Sequence, residues 1–291
     1  MQTTISYAAN FAGQKFQPQT EALTTEDAPA ALAFLAARPI NTVIMAGWIK
    51  DHGIQSPAHR GTFYGYWNAL GLLEGVALIG RATMFETRSD AALLAFAELA
   101  QRQPAVQLII GEAGELEKFW RGYAPAGQTP RRRCHELLYE CTASVRAAQL
   151  LSGLRPATFA ELDQVVAAHA EMVAAETGTN PLAQDGVGFR SRCAGRVAQG
   201  RVWTWQQGGE LIFKADVVTK TPEAVYLEGL WVNPRHRHRG YGQICWAALS
   251  RALLAEQPSI CGFVNAENRP AQAFYEKAGW RLHSRYDKIY L

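Results

Sequence analysis

The residues best suited to chemistry stand where an apolar strand runs into a basic turn. Residues 227–232 read Leu-Glu-Gly-Leu-Trp-Val, and residues 235–242 read Arg-His-Arg-His-Arg-Gly-Tyr-Gly before an apolar-periodic helix. A helix start leaves backbone N–H groups without partners and carries positive dipole. Glycine lets a ligand approach the backbone closely, and the arginines add positive charge. The turn therefore predicts a phosphate or pyrophosphate site.

The turn matches neither of the two common nucleotide-binding motifs, because neither G-x-x-x-x-G-K-[ST] nor G-x-G-x-x-G occurs in the chain. Its pattern is Arg237-x-x-Gly240-x-Gly242, which taken alone is also typical of a solvated loop. A second motif follows a short apolar strand at 259–264. Residues 265–280 read Asn-Ala-Glu-Asn-Arg-Pro-Ala-Gln-Ala-Phe-Tyr-Glu-Lys-Ala-Gly-Trp, which predicts a capped helix that ends at a glycine.

Together, these two motifs and their spacing resemble the GNAT superfamily of N-acetyltransferases, over roughly residues 155–291. Residues 171–181, 213–216 and 229–234 are similar to bacterial two-domain acetyltransferase-like proteins, in which a half of uncharacterised function comes first. The resemblance implies an α/β fold of tandem GNAT-like domains, each a mixed central sheet flanked by helices. Residues 1–150 would form a degenerate GNAT-like domain and residues 151–291 the acetyl-CoA-binding domain.

Hydrophobic periodicity supplies the elements that must position these motifs. In the C-terminal half it predicts helices at 158–178, at 187–198 and after Gly242, and strands at 201–206, 210–219, 224–232, 259–264 and 286–291, the last of which closes the sheet. In the N-terminal half it predicts strands at 62–67, 72–80, 82–87, 106–111 and 135–141, a helix at 89–101 and an exposed loop at 122–133. This order partly repeats that of the C-terminal half. It indicates a degenerate copy of the fold or, alternatively, an unrelated α/β domain.

Composition indicates an ordinary globular protein. The chain has 291 residues, of which 48% are hydrophobic and 19% charged, and a net charge of +3. Such a charge gives no general drive toward nucleic acid or membrane. Five cysteines without metal-like spacing predict reduced thiols, and the absence of a signal-like or membrane-spanning segment predicts a cytoplasmic protein.

The resemblance implies that acetyl-coenzyme A binds along the turn and the adjoining strand. Pantetheine would pair like an extra strand with the backbone of residues 230–232, where a main-chain N–H could also bind the thioester oxygen. The predicted cofactor-binding residues are Leu230, Trp231, Val232, Arg237, His238, Arg239, Gly240, Tyr241, Gly242, Gln243, Asn265, Asn268, Ala271 and Phe274. For Asn268, bonding to pantetheine and capping its own helix are both open.

Two residues are candidates for catalysis. The resemblance places Tyr275 beside the thioester sulfur, where a protonated phenol could donate to the departing thiolate. Its alternative role is aromatic packing. Glu228 is a carboxylate on an otherwise apolar strand, and it must therefore be paired or face a cleft. In a cleft it could position a cationic amine or relay its proton. The alternative is an ion pair with Lys214 on the preceding strand.

Other titratable residues receive weaker assignments. The resemblance places Glu171 and Glu176 near the acceptor pocket, where they could recognise a cationic amine, but the pattern favours a solvated surface charge for at least one of them. His169 lies in an apolar stripe, which favours a packed, hydrogen-bonded histidine. His236 and His238 alternate within an arginine-rich turn that would repel a cation, so no metal is expected.

These features favour an acetyl-CoA-dependent N-acetyltransferase that acts on a primary amine of a small molecule or peptide. Because no motif places a cysteine as nucleophile, the expected mechanism is direct transfer through a ternary complex. The alternatives are an acyl-CoA-binding sensor with little turnover and, less well matched by the basic turn and net charge, an aminoacyl transferase that uses charged tRNA. No nucleic-acid or membrane partner is expected, and monomer and homodimer are both open.

Overall fold

The computed structural model describes residues 17–124, 128–143 and 151–291. Its strands are β1 Gln19–Ala22, β2 Gly61–Trp67, β3 Leu73–Gly80, β4 Ala82–Thr87, β5 Leu108–Glu112, β6 Arg132–Cys141, β7 Arg155–Pro156, β8 Val202–Gln207, β9 Glu210–Lys220, β10 Val225–Val232, β11 Ile260–Asn265 and β12 Arg281–Tyr290. Its α-helices are α1 Ala28–Ala36, α2 Pro39–His52, α3 Asp90–Gln101, α4 Ala113–Tyr123, α5 Leu162–Thr177, α6 Pro181–Ala198, α7 Tyr241–Leu254 and α8 Arg269–Lys277.

All strands belong to one 12-stranded mixed sheet, in the order β1-β2-β3-β4-β5-β12-β6-β11-β10-β9-β8-β7. The pairs β4–β5 and β10–β11 are parallel. At the centre, the two halves of the chain exchange strands. The N-terminal strand β6 pairs with β11 and β12, and the C-terminal strand β12 pairs with β5 and β6. Each half therefore completes the sheet of the other.

Helices cover both faces of this sheet. On one face, α3 and α4 pack over the N-terminal strands and α7 and α8 over the C-terminal strands. On the opposite face lie α1, α2, α5 and α6. Helix α2 crosses the middle of the molecule, because its Ile40 and Val43 pack against Tyr226 and Tyr286 from the other half. The predicted α/β architecture with helices on both faces of a mixed sheet is confirmed.

Three differences from the sequence predictions have physical causes. The final strand lies in the middle of the sheet rather than closing it, since β6 and β5 flank it. Helix α2 was not predicted because it is buried against both the sheet and α1, which removes the polar stripe that reveals an amphipathic helix. The predicted loop at 122–133 is shorter, because α4 continues to Tyr123 and β6 begins at Arg132; residues 125–127 of that loop lie outside the described residues.

The described part of the chain contains no helix that is both long and apolar enough to cross a bilayer. All five cysteines are buried free thiols. Burial raises the pKa of Cys245 to about 12, which disfavours the nucleophilic thiolate form.

Candidate active site

The centre of the C-terminal half is a gap between two parallel strands. β10 and β11 pair only at Val225–Ile260 and Tyr226–Cys261 and then separate. Gly262 lies on β11 where the gap opens. A Cβ there would lie 2.9 Å from the Leu227 carbonyl oxygen and 3.6 Å from the Tyr275 hydroxyl. The hydroxyl of Tyr275 is therefore at the mouth of the gap.

Tyr275 is held by other aromatic rings. Its ring centroid lies 4.9 Å from that of Trp280, 5.4 Å from that of Trp246 and 5.6 Å from that of Tyr139 on β6. Its side chain is buried. Burial is the main cause that raises its pKa well above the usual value for tyrosine, and the neighbouring Cys261 adds to it. The phenol therefore stays protonated at neutral pH and can act as a donor.

A β-bulge interrupts β10 beside the gap. Glu228 is opposite Asp216 and Trp231 is opposite Lys214, so Gly229 and Leu230 together face one residue of β9. Gly229 has φ of +66°, a left-handed conformation that glycine adopts at little cost. The bulge takes the peptide between residues 229 and 230 out of the regular pairing with β9.

The basic turn leads into α7 without a side-chain cap. Gly240 occupies the N-cap position with φ of +81°, and no side chain bonds to the first N–H groups of the helix. A Cβ on Gly240 would meet no atom within 4 Å. His238 and Arg239 are exposed. The turn thus offers free backbone donors, open space and positive charge together, which fits a phosphate group.

Two side chains of the turn are engaged within the protein. Arg237 Nε donates to the Val232 carbonyl at 3.0 Å and its guanidinium lies 3.4 Å from a Glu171 carboxylate oxygen. His236 Nε2 lies 3.0 Å from Glu210. Among the described residues, no cluster of three or more His, Cys, Asp or Glu side chains is arranged to hold a metal.

Gly242 allows close packing at the start of α7. A Cβ there would lie 3.2 Å from Val232 and 3.3 Å from Phe274, and Gln243 Nε2 donates to the Phe274 carbonyl at 3.1 Å. The first turn of α7 is thereby fixed against β10 and α8. Leu230, Val232, Ala271 and Phe274 are partly buried side by side at the edge of this core.

The remaining predicted cofactor residues have specific local contacts. Asn268 Oδ1 accepts from the Ala271 N–H at 3.1 Å and so caps α8. Asn265 Oδ1 accepts from the Glu267 N–H at 2.8 Å. Tyr241 packs against Trp205 with centroids 5.3 Å apart. The ring of Trp231 turns away from the gap and packs beneath α5, where its Nε1 donates to Glu171 at 3.2 Å.

Glu228 lies on the sheet face that carries α5 and α6, and its side chain is 43% exposed. Its nearest cationic group is Arg196 on α6, at 3.9 Å. Lys214 instead contacts Asp216 at 2.6 Å. Partial burial and the Asp216 charge raise the pKa of Glu228, whereas Arg196 and Lys214 act in the opposite direction, and the net shift is upward.

His169 is packed but incompletely hydrogen-bonded. Its ring stacks on Phe189 with centroids 5.2 Å apart, and its buried Nδ1 has no hydrogen-bond partner in the described structure. That nitrogen lies 3.7 Å from Asp216 Oδ2. Burial is the main cause that lowers the pKa of His169 to about 4, so the ring is neutral at pH 7. The sequence prediction was right about packing and wrong about the hydrogen bond.

Around the site, sequence reasoning named Lys214 but missed Arg196, Asp216 and Tyr139. Arg196, Asp216 and Lys214 form one charged cluster with Glu228, and Lys214 and Asp216 alternate on a single strand, a spacing that could have revealed a shared face. Tyr139 reaches the site from the N-terminal half, and no local signal in the sequence pointed to it. Glu176, by contrast, is simply exposed.

Comparison with protein families identifies a domain within the C-terminal half. Residues 159–280 match the model of the acetyltransferase (GNAT) family. The chain therefore contains a GNAT domain at residues 159–280. The search of curated proteins found no significant match to this chain.

Solved structures extend the GNAT likeness to the N-terminal half at the level of fold. A Drosophila protein has a TM-score of 0.67 at 14% identity, with 94% of this chain and 98% of that chain covered. A GNAT-family acetyltransferase from Colwellia psychrerythraea has a TM-score of 0.61 at 12% identity, and the match covers 95% of this chain and 100% of that chain. A tandem GNAT protein from the clavulanic acid biosynthesis pathway has a TM-score of 0.59 at 14% identity, and the match covers 94% of this chain and 98% of that chain. The chain thus has a tandem GNAT fold.

The N-terminal half contains an equivalent gap that is filled. Strands β4 and β5 pair up to Met84–Ile110 and then separate. The Phe85 ring occupies this position, since a Cβ on Gly111 would lie 2.6 Å from it. Phe85 also stacks on Phe119 of α4 with centroids 4.6 Å apart. In addition, Ser89 caps α3 by accepting from the Ala92 N–H at 3.3 Å.

Proposed function

We propose that the protein is an acetyl-CoA-dependent N-acetyltransferase that transfers the acetyl group directly to a primary amine of a small molecule or peptide. The observation that carries the proposal is the position of the Tyr275 hydroxyl at the mouth of the β10–β11 gap, in the same domain as the uncapped N-terminus of α7. This domain thus offers a proton donor, free backbone donors and an open strand edge, which is the combination that acyl transfer from a long phosphate-bearing thioester requires.

On the cofactor side, the α7 N-terminus would hold the pyrophosphate of acetyl-CoA through the N–H groups of residues 241–243, with His238 and Arg239 adding charge. The backbone of residues 230–232 would pair with pantetheine. The Leu230 N–H, freed by the bulge, would bind the thioester oxygen. Bound acetyl-CoA supplies the activated acyl group, and Tyr275 donates a proton to the departing sulfur.

On the acceptor side, Glu228 would hold the cationic amine and accept its proton, directly or through water, before attack. Its raised pKa is compatible with that role, because a carboxylate with a higher pKa is a better base. The acceptor would reach Glu228 along the sheet face between α2 and the α5–α6 pair, where both halves of the chain contribute side chains.

We further propose that each chain binds one coenzyme A, in the domain formed by residues 151–291. The domain formed by residues 1–150 acts as a scaffold and as one wall of the acceptor cleft. Phe85 takes the space that pantetheine would need in the first half, and Ser89 satisfies an N–H that a phosphate would need. A sensor with little turnover would need the same cofactor contacts, so activity distinguishes the two functions.

The test is calorimetric titration with acetyl-CoA, followed by acetyl transfer to a broad panel of primary amines. We expect one molecule bound per chain and release of free thiol with at least one amine class. Two molecules per chain would contradict the filled first site. Binding without transfer to any amine would favour the sensor, and binding of charged tRNA in a gel shift would favour the aminoacyl transferase.

A further inference from the structure

A fully buried ion pair lies directly beneath the bulge of β10. Lys214 and Asp216, both on β9, are each only 1% exposed, and Lys214 Nζ lies 2.6 Å from Asp216 Oδ2. Burial of two charges is expensive, and a well-packed apolar pair is often as stable or more stable. Stability alone is therefore a weak explanation for a lysine and an aspartate at these positions.

The pair makes close contact with the bulge itself. Lys214 Nζ donates a hydrogen bond to the Gly229 carbonyl at 3.5 Å. A Cβ on Gly229 would lie 2.7 Å from Asp216 Oδ2 and 3.2 Å from Lys214 Nζ. The bulge thus rests on the ion pair with no room for a side chain between them, and its carbonyl points toward the ammonium.

The direction of that carbonyl fixes the direction of the next N–H. The described chain has no cis peptide bond, and in a trans peptide the C=O and the following N–H point in opposite directions. Lys214 and Asp216 lie on the face opposite to Phe213, Ala215 and Val217, which pack with α7 and Tyr275. The Leu230 N–H therefore points away from the ion pair, toward the side of β10 where Tyr275 lies.

We propose that Lys214 is a positioning residue for acyl transfer, held in place by Asp216. Its ammonium anchors the Gly229 carbonyl, so that the Leu230 N–H is aimed at the thioester oxygen. Its positive charge also polarises the peptide unit and strengthens this N–H as a donor where negative charge develops. This role rests on the proposed function, since it requires a thioester in the gap.

The test replaces the pair by uncharged side chains of similar shape, Lys214→Met with Asp216→Asn, so that no buried charge is left alone. Lys220→Met is the matched control, because Lys220 lies on the same strand and its partner Glu256 is exposed. The probe is acetyl-CoA with a ¹³C-labelled thioester carbonyl, whose infrared stretch shifts to lower frequency when its oxygen accepts a hydrogen bond. Affinities for acetyl-CoA and free coenzyme A are measured in parallel.

We expect the unmodified chain and the Lys220→Met control to lower the thioester frequency and the double variant to restore it toward the value in solution. The affinity for acetyl-CoA relative to coenzyme A should fall by up to about tenfold, whereas coenzyme A affinity stays nearly constant. An unchanged infrared shift in a folded double variant would overturn the proposal.

A second variant is tested in case the first does not fold. Lys214→Gln with Asp216→Asn removes the charge but keeps an amide donor near Gly229, and we expect it to retain part of the frequency shift. Retention of the full shift would show that the ammonium has no such role. If the unmodified chain does not bind acetyl-CoA at all, the proposed function itself fails, and the role of Lys214 fails with it.

Discussion

The ring centroid of Tyr139 lies 5.6 Å from that of Tyr275, although the two residues come from opposite halves of the chain. The Tyr139 hydroxyl also donates to Glu276 at 3.0 Å, which ties it to the same helix. Tyr139 reaches this position because β6 is inserted between β11 and β12. The N-terminal half is therefore part of the wall that holds the candidate general acid.

The exchange of β6 and β12 predicts that neither half folds alone. Without residues 1–150, β11 loses the partner with which it pairs from Ile260 to Asn265, and a row of unpaired backbone groups is exposed. We expect residues 151–291 to aggregate when expressed alone and to be rescued by co-expression with residues 1–150. Circular dichroism and size-exclusion chromatography would measure this, and a cooperatively folded, monomeric C-terminal fragment would contradict it.

Replacement of Tyr275 by Phe removes a proton donor and keeps the ring. If the phenol protonates the departing thiolate, turnover with an amine acceptor should fall about 10²-fold or more, with acetyl-CoA affinity nearly intact. Tyr123→Phe is the control, since Tyr123 is another buried tyrosine with a raised pKa, on the corresponding helix of the N-terminal half. Equal turnover of the two variants would reduce Tyr275 to a packing role.

A side chain at Gly240 should block the phosphate site. We expect Gly240→Leu to lower acetyl-CoA affinity at least about tenfold, because the added side chain enters the open space at the start of α7. Gly209→Leu is a matched control, since Gly209 also has φ of +81° and no atom within 4 Å of its Cβ position. Because both glycines have the same positive φ, the control corrects for backbone strain. If calorimetry shows equal acetyl-CoA affinities for the two variants, the assignment of the phosphate site is refuted.

The raised pKa of Glu228 predicts a particular pH profile. If the carboxylate form binds the amine, kcat/KM should fall as pH drops through a pKa above the usual value for glutamate, about 4.3. Arg196→Met removes a charge that lowers this pKa, so the acidic limb should move to higher pH. Arg192→Met, on the same helix but paired with Asp185, should leave it unchanged.

Glu228→Gln provides the complementary measurement. Loss of the carboxylate should raise KM for a cationic acceptor while acetyl-CoA affinity is preserved, and the acidic limb should disappear. A variant that keeps the wild-type pH profile would show that another group titrates.

His169 predicts an acid-sensitive native state. Its native pKa of about 4 lies below the unfolded value of 6.5, so the unfolded chain takes up a proton that the native chain excludes. Stability should therefore fall as pH decreases from 6.5 to 4, by up to about 3 kcal/mol from this group alone. Chemical denaturation of His169→Phe across this range should show a shallower loss than wild type, and parallel curves would exclude the effect.

The basic turn and the α8 motif could be predicted because their information is local. Gly240 adopts a left-handed backbone conformation and Asn268 caps a helix. Both properties can be predicted from a few neighbouring residues. The same local logic did not resolve the surroundings of Glu228, for which an ion pair with Lys214 was the alternative to a position facing a cleft. Lys214 instead pairs with Asp216 two residues along its own strand, because alternation puts both side chains on one face.

The strand exchange could not be predicted from local patterns. The apolar periodicity of residues 135–141 indicated a strand and correctly located it, but period and composition do not encode which strand lies beside it. The pairing of Leu138 with Phe263 spans more than a hundred residues. The role of Tyr139 beside Tyr275 follows entirely from that long-range pairing and was invisible for the same reason.

Because β6 lies between two strands of the C-terminal half, different parts of the N-terminal half tolerate different amounts of sequence change. If the first half binds no coenzyme A, as proposed, the space between β4 and β5 is free to hold Phe85 or other residues that fill it. Residues 132–141 have less freedom, because both edges of this strand pair with the C-terminal strands β11 and β12, and Leu137 and Tyr139 pack in the core of that half. A duplicated domain in this arrangement can lose its own reaction while its last strand stays under selection for the reaction of its neighbour.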